Sequence, residues 1–319
     1  SGGADSAAVA TLVRSMVDLS IEAIGLQSVI ERLGAWPALK SCESADALCQ
    51  ALLTCVYQST RNSSDTTQNA ARGLAESLQA TFYHLDVDPL VESYRNLVED
   101  SLSRELSWQG DDIALQNIQS RVRAPGVWML ANLSGALLLS TSNRSEAAVG
   151  YATMDGDTSG GLAPIAGIDK AFLRDWLRWM ETDAGDGLNP NPALRAINEQ
   201  APTAELRPAE RVQKDVDAGL LDEVLDAIER WAIGDKHFPA DVLEKLAERF
   251  PDAGEEQRWG WVERFFQLWS RNQWKRERYA PSFHVDDQNL DPKTWCRFPI
   301  LSAGFAEELE ALRRDRRRS

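Results

Sequence analysis

The amino-acid sequence predicts an α/β fold, a Rossmann-like parallel sheet with helices on both faces, followed by a helical C-terminal extension. Three short apolar runs, at residues 51–57, 81–87 and 135–141, have the composition of strands. They are apolar throughout rather than alternating, which is typical of parallel strands covered on both faces. Amphipathic helical patterns separate these runs, as in βαβ units. We therefore expect a core at residues 1–210 and a helical extension at residues 211–319.

The first part of the predicted core alternates helices and strands. Apolar residues recur at helical spacing from Asp5 to about Leu33, with Gly25 as an interruption and Gly34 as a stop. A loop and a short helix lead to the first strand. The next predicted elements are a helix at 67–80, a strand at 81–87 and a helix from Pro89 to about Leu106.

The second part of the chain is predicted in the same way. A long helix is expected from Asp111 to about Leu133, with Pro125 at a kink or boundary because proline lacks a backbone N–H. A long, polar, glycine-rich loop is expected after the third strand, and it leads to a Trp-rich helix at 170–182. The extension is predicted to contain helices at 220–232, 240–250 and 255–274, and a flexible, substrate-closing segment at 279–297.

Composition and charge exclude several classes of protein. The net charge of −15 over 319 residues argues against a nucleic-acid-binding surface. No apolar run approaches the length that spans a bilayer, and no signal peptide is visible. The four cysteines lack the spacing of a zinc site and are interpreted as reduced thiols. We expect a cytoplasmic protein that binds neither nucleic acid nor membranes.

The N-terminal loop Ser1-Gly2-Gly3-Ala4-Asp5-Ser6 precedes a helix and has the character of a phosphate-binding turn. Two glycines allow a tight turn, and backbone N–H groups at a helix N-terminus attract anions. The loop is not of the Walker type, because no G-K-[ST] follows the glycines. It resembles the S-G-G-x-D-S loop of the ATP pyrophosphatases, in which the loop grips the departing pyrophosphate and the Asp helps to hold Mg²⁺. The alternative is a small-residue turn before an ordinary helix.

Polar residues after the predicted strands are expected at the ligand-binding edge of the sheet, because ligands bind beyond the carboxyl ends of parallel strands. The loop after Tyr57 and Thr141 fall at that edge. Asn117 and Arg121 lie four residues apart on a predicted helix and share a face, which suits an anionic oxygen or simply a solvated surface. Lys170 begins a helix, where a cation is unfavourable unless it faces an anion.

The ordered set of motifs resembles NAD synthetase over nearly the whole chain. The motifs are the N-terminal loop, N-x-x-x-R, T-S-N-x-S-E-x-x-x-G-Y-x-T-x-x-G-D, P-I-x-x-x-x-K, P-T-A-E-L at 202–206 and Lys275-Arg276. The resemblance implies an adenine nucleotide alpha hydrolase-like fold and a ligase activity. ATP adenylates the carboxylate of deamido-NAD, and ammonia then displaces AMP to give NAD. The chain is similar to the synthetase half of the glutamine-dependent form, in which a preceding glutaminase domain supplies ammonia.

The resemblance also assigns residues to the substrates. It implies that Asp5 and Glu146 bind Mg²⁺, that Lys170 and Asp5 are catalytic, and that the enzyme is a homo-oligomer. The residues expected to contact ATP are Ser1, Gly2, Gly3, Asp5, Ser6, Ser63, Ser64, Thr141, Lys170 and Thr203. The residues expected to contact deamido-NAD are Asn117, Arg121, Glu146, Tyr151, Ala152, Thr153, Met154, Asp157 and Lys275.

The sequence departs from the family at three places. Met154 stands where the small ammonia-dependent members have a lysine. Those members also have an aspartate near the position of Gly161. The loop at 213–216 lacks the usual Q-[TS]-D-E. His284 belongs either to a closing lid or to an ordinary loop. The alternatives are another ATP pyrophosphatase that amidates or thiolates a nucleotide, or a nucleotide-binding fragment without turnover. Whether free ammonia suffices is left open.

Overall fold

The computed structural model describes residues 2–34, 36–200, 205–208, 222–300 and 302–316. It confirms an α/β protein that is mainly helical and contains a parallel sheet. The chain forms two compact units, each made of separate stretches. The first comprises residues 1–135 and 173–213, and the second comprises residues 136–172 and 214–319. The predicted boundary at 210/211 lies outside the described residues and stays a prediction.

The first unit contains helices and a small parallel sheet. Its residues 1–135 contain the helices α1 Ala4–Ile24, α2 Leu26–Leu33, α3 Ala45–Leu52, α4 Asp65–Ser77, α5 Asp88–Leu102, α6 Asp112–Arg121 and α7 Arg123–Ser134. A 3-10 helix lies at Pro37–Ser41. Strands β1 Thr54–Ser59 and β2 Thr81–Asp86 pair in parallel, with Thr54 opposite Thr81 and Ser59 opposite Asp86. The helix α4 connects the two strands, as the βαβ pattern predicted.

The core of the first unit includes a cluster where α1, α2 and α3 meet. Its buried members are Val17, Val29, Ile30, Leu39 and Leu48. These apolar residues recur on one side of each helix, which is the pattern that buries an amphipathic helix against its neighbours. The packing fixes α1, whose N-terminal turn carries the predicted phosphate loop.

The second unit is helical. Its first stretch contains α8 Arg144–Val149, and α9 Lys170–Thr182 begins there and continues into the first unit's residues. The first unit also contains α10 Arg195–Asn198, preceded by a 3-10 helix at Pro192–Leu194. The remaining helices of the second unit are α11 Asp222–Glu229, α12 Pro239–Arg249, α13 Glu255–Arg271, α14 Gln273–Arg276 and α15 Ala306–Arg316. A short π-helix at Arg230–Gly234 follows α11. An aromatic core that includes Phe265 and Phe266 joins α8, α11, α12, α13 and α15.

Several predicted elements are confirmed with shifted ends. The first predicted helix is interrupted at Gly25, whose φ is +80°. The predicted strand at 51–57 begins three residues later, because Ala51 and Leu52 complete α3. The helix expected from Asp111 to Leu133 is two helices that meet at Val122. Pro125 lies in the first turn of α7, where its missing N–H costs little.

Two predictions between residues 135 and 170 are wrong. The run at 135–141 does not form a strand; it contributes one isolated parallel bridge, between Leu139 and Leu162. Leu137 is 61% exposed, so this run is not a buried strand despite its composition. The stretch after it was predicted to be a loop but contains α8, whose N-cap residue Asn143 accepts a hydrogen bond from the Glu146 backbone N–H.

Among the described residues, none of the helices combines the length and the apolar character needed to cross a membrane.

Candidate functional site

The N-terminal loop precedes α1 as predicted, and the helix begins earlier than expected. Gly3 is the N-cap and α1 begins at Ala4, so Asp5 and Ser6 lie in its first turn. The Ser6 hydroxyl donates to the Gly3 carbonyl at 3.1 Å. A Cβ on Gly2 would lie 2.1 Å from the carbonyl oxygen of Thr67, so the first unit requires a glycine here for packing against α4. Ser1 lies outside the described residues.

The loop after β1 is closed by hydrogen bonds at the start of α4. Ser64 is the N-cap of α4, and its hydroxyl accepts from the Thr67 N–H at 3.2 Å. The Ser63 hydroxyl accepts from the backbone N–H of Thr60 at 3.1 Å. The hydroxyls of Ser64 and Thr67 donate to the two carboxylate oxygens of Glu205, at 2.7 and 2.9 Å. Glu205 therefore brings the P-T-A-E-L segment to the predicted adenosine-contacting loop, whereas Thr203 lies outside the described residues.

The helix α6 carries Asn117 and Arg121 as predicted, and it also holds the P-T-A-E-L segment. The amide of Gln119, which is 3% exposed, donates to the Leu206 carbonyl at 2.6 Å. The Arg207 guanidinium donates to the Asp112 carboxylate at 2.8 Å. The predicted ATP-contacting loop at Ser64 and the predicted dinucleotide-contacting helix are thus tied to one segment of the first unit.

In the second unit, Glu146 and Lys170 lie close together, although they are 24 residues apart in sequence. The Lys170 ammonium lies 3.9 Å from the Glu146 carboxylate. The backbone N–H of Lys170 donates to the Ser145 hydroxyl at 3.0 Å, which joins the start of α9 to α8. Both side chains are partly exposed, at 17% for Lys170 and 28% for Glu146, so a ligand can reach them.

The segment after α8 is ordered by Asp157. Its carboxylate accepts from the Thr153 N–H at 2.6 Å, and its carbonyl accepts from the Ser140 hydroxyl at 3.1 Å. The other predicted residues differ in exposure: Ala152 and Thr153 are buried, Thr141 and Met154 are half-buried, and Tyr151 is 36% exposed. Lys275, on α14, donates to the Gly150 carbonyl at 2.7 Å. Its ammonium therefore lies beside the predicted dinucleotide segment.

A buried arginine that the sequence analysis did not single out lies near the Glu146–Lys170 pair. Arg144 is 2% exposed and belongs to α8. It makes ion pairs with Asp169 at 3.2 Å, Asp226 at 3.5 Å, Glu229 at 2.6 Å and Asp286 at 2.8 Å. Its partners are remote in sequence, so no local pattern could have found them.

The Glu229 carboxyl group lies 2.6 Å from the Arg144 guanidinium and forms an ion pair with it when ionised. Burial raises the pKa of Glu229 to about 8, although the positive charge of Arg144 lowers it. Burial lowers the pKa of Arg144, but the carboxylates of Glu229, Asp286 and Asp169 raise it above its ordinary value. Arg144 is therefore a permanent buried cation.

The predicted Mg²⁺ ligands offer suitable chemistry. Asp5 and Glu146 supply carboxylate oxygens, which Mg²⁺ prefers, and Mg²⁺ commonly binds through one or two carboxylates together with substrate phosphates. In the described parts of the chain, no group of three or more His, Cys, Asp or Glu side chains is arranged to hold a metal ion.

Comparisons with known proteins place the chain in a family. Residues 1–277 match the family model described as NAD synthase. The chain is 31% identical over 324 residues to the glutamine-dependent NAD(+) synthetase of Rattus norvegicus, covering 94% of the chain and 44% of that protein. It is 31% identical over 265 residues to the protein of the same name from Aquifex aeolicus, covering 83% of the chain and 42% of that protein.

A solved structure gives the same result. The crystal structure of a glutamine-dependent NAD(+) synthetase from Cytophaga hutchinsonii has a TM-score of 0.83 and 47% identity, covering 98% of this chain and 51% of that one. An NMN synthetase structure from Francisella tularensis, 17% identical with a TM-score of 0.51, covers 84% of each chain and shares the fold. The chain spans about half the length of the Cytophaga protein, and less than half of the two curated relatives.

Proposed function

Because the chain belongs to the NAD synthase family, we propose that it carries out the ATP-dependent amidation of deamido-NAD to NAD. The carboxylate of deamido-NAD attacks the α-phosphorus of ATP, and pyrophosphate leaves. Ammonia then attacks the acyl carbon of the adenylate, AMP leaves, and the amide forms. The observation that carries this proposal is the Glu146–Lys170 pair, in which the T-S-N-x-S-E motif and the P-I-x-x-x-x-K motif meet at 3.9 Å.

The residues of the second unit support roles in the first chemical step. Negative charge moves onto the departing pyrophosphate, and a fixed cation stabilises it. We assign this role to Lys170, whose backbone is bound to Ser145 and whose ammonium lies beside Glu146. Asp5 and Glu146 are the residues that would hold Mg²⁺, which would neutralise phosphate charge when bound with ATP.

The remaining assignments concern binding. The β- and γ-phosphates are proposed to be contacted by Ser1, Gly2, Gly3 and Ser6. Ser63 and Ser64 are proposed to contact the adenosine, and Thr141 and Thr203 are proposed as further contacts to ATP. The proposed contacts to deamido-NAD come from Asn117, Arg121, Glu146, the 151–154 segment, Asp157 and Lys275. The Lys275–Gly150 contact at 2.7 Å supports part of this set, because it fixes a cation beside the 151–154 segment.

We further propose that ammonia comes from glutamine through a glutaminase domain of the full enzyme. The names of the relatives support the use of glutamine, because they describe those proteins as glutamine-dependent. A cytoplasmic location stays a prediction, and so does assembly into a homo-oligomer. The helix α5 supports assembly, because none of its 15 residues is buried. It exposes an apolar stripe formed by Leu90, Tyr94, Leu97, Val98 and Leu102.

An end-point assay for NAD tests the activity. The chain is incubated with deamido-NAD, ATP and Mg²⁺, with ammonium chloride or with glutamine as the nitrogen source. We expect ammonium to support turnover. We expect Asp5→Ala to reduce it by at least about a hundredfold, as is common when a metal-binding or charge-stabilising group is lost.

The control is Asp252→Ala, which removes a carboxylate from an exposed position and should leave turnover unchanged. If ATP binds but no NAD forms with either nitrogen source, the proposed amidation is wrong for this chain. Pyrophosphate release with other carboxylates and nucleotides would then identify a different acceptor.

A further inference from the structure

Arg144 lies on α8 and connects this helix to three other parts of the second unit that are separate in sequence. Its backbone N–H donates to the Ile168 carbonyl at 2.8 Å, and its guanidinium donates to the Gly167 carbonyl at 3.1 Å. The guanidinium also donates to Asp169 and to Asp286, the latter within the segment 279–297. Two further carboxylates, from α11, surround the same group. One side chain therefore connects α8, the turn before α9, α11 and the 279–297 segment.

The residues that Arg144 contacts lie next to Glu146 and Lys170, the two side chains proposed to act in the first chemical step. Glu146 lies two residues after Arg144 on α8, and Lys170 directly follows Asp169. Asp169 has two roles: one oxygen accepts from the Phe172 N–H at 2.7 Å and caps α9, and the other accepts from Arg144 at 3.2 Å. Asp169 therefore links the Arg144 guanidinium to the first turn of α9, directly before Lys170.

We propose that Arg144 is a positioning residue of the amidation site: through Asp169 it holds the turn before α9 so that the Lys170 ammonium faces Glu146 and the phosphates of ATP. This inference rests on the proposed function. It deepens that function by assigning a role to a residue that the motif does not specify, since Arg144 occupies the variable position of T-S-N-x-S-E.

The burial of the Arg144 guanidinium favours a positioning role over a role in stability alone. A buried cation surrounded by carboxylates adds little net stability compared with apolar side chains, because desolvating the charges offsets their attraction. It does fix geometry, since a guanidinium has donors in fixed directions that match several acceptors at once. Small displacements of a group that acts in the transition state reduce the rate strongly.

Asp169→Asn is the sharpest test. An asparagine keeps the oxygen that caps α9 but loses the charge that faces Arg144. We expect kcat with ammonium to fall about tenfold, with the KM for ATP and for deamido-NAD changed less than about twofold, because an interaction that acts in the transition state is weakened.

Asp175→Asn is the matched control. It lies on the same helix and removes the charge of an aspartate that pairs with an exposed arginine, Arg178, at 2.6 Å. We expect kcat and both KM values to stay at the wild-type level. A loss of kcat in both variants, or in neither, overturns the positioning role.

A second readout does not depend on activity. Competitive acylation of lysine amines, followed by mass spectrometry, reports how firmly Lys170 is held, with the exposed Lys40 as the reference in the same molecule. We expect Lys170 to react at least about threefold faster in Asp169→Asn than in the wild type, because a released amine is more accessible. No change in Asp169→Asn would contradict the inference.

The outcomes separate the two proposals. If the wild type makes no NAD, the proposed function fails, while the labelling rates still decide whether Arg144 orients Lys170. If the wild type makes NAD and Asp169→Asn matches it in kcat and labelling, only the positioning inference fails.

Discussion

Glu229 is a deeply buried titratable residue of the second unit: it is 1% exposed and lies beside the buried Arg144. Burial raises its pKa from the ordinary value of 4.5 to about 8. Between those values the folded protein holds a proton that the unfolded chain has released. The contribution of Glu229 to the free energy of unfolding is therefore most favourable below pH 4.5 and is lost as the pH rises through about 8.

We predict that Glu229→Gln removes this pH dependence, because glutamine cannot ionise. Thermal unfolding of the two proteins, measured from about pH 5.5 to about pH 8.5, should show the variant gaining stability relative to the wild type as the pH rises. Other groups titrate alike in both proteins and cancel in the difference. A constant difference in Tm would show that Glu229 is ionised throughout this range.

Glu205 shows why some contacts could not be predicted from the sequence. The P-T-A-E-L motif indicated that its neighbourhood was functional, but its partners Ser64 and Thr67 lie about 140 positions earlier. A local pattern carries no information about such pairs. The same holds for Arg144, whose four carboxylate partners are spread over residues 169–286. By contrast, the family resemblance named both Glu146 and Lys170 as site residues, although their contact with each other was not predicted.

At the scale of elements, α8 and the start of α14 meet through the glycine at the end of α8. Gly150 has a φ of +68°, and a Cβ there would lie 2.3 Å from the Cβ of Asn272. The Asn272 amide donates to the Val149 carbonyl at 2.7 Å, and Lys275 donates to Gly150 itself. The close approach of the two helix ends therefore depends on a residue without a side chain.

We predict that Gly150→Ala lowers the free energy of unfolding by about 2–4 kcal/mol, from the left-handed backbone and the clash together. The KM for deamido-NAD should rise in the same variant, because Lys275 is displaced. Gly260→Ala is the control: Gly260 lies inside α13 with nothing within 4 Å of an added Cβ. That change should stabilise the protein by about 0.5–1 kcal/mol. Equal stability of the two variants would contradict the argument.

Helices and strands were predicted well where the apolar pattern was decisive. The break at Gly25 and the strand at residues 81–86 are examples. The prediction failed at 135–141, where an apolar run without a partner strand remains partly exposed. It also missed α8, although Asn143 followed by Glu146 is a recognisable N-terminal capping pattern. Pairing and tertiary contacts, not composition, decide such short elements.

At the scale of the whole molecule, the apolar stripe of α5 predicts assembly. Leu97 is 63% exposed, and a contiguous exposed apolar surface commonly marks an interaction site. We predict that Leu97→Glu converts an oligomer to a single chain, because a buried charge without a partner is costly at an interface. Light scattering coupled to size-exclusion chromatography measures the mass.

The control for assembly is Phe238→Glu, which changes a similarly exposed residue, 57% exposed, in the second unit. It should leave the mass unchanged. A wild-type chain that already has the mass of a single copy would show that α5 does not mediate assembly of this chain.

The division of the chain into interleaved stretches has a consequence for its synthesis. Residues 136–172 leave the ribosome before residues 173–213, yet they belong to the second unit, which also needs residues 214–319. Neither unit can therefore complete its structure from one continuous nascent segment. The contact between Ser64 and Glu205 closes a loop of about 140 residues, and closing long loops is slow. The first unit is thus expected to remain incomplete until residues 173–213 have been synthesised, and its partly formed sheet is exposed until then.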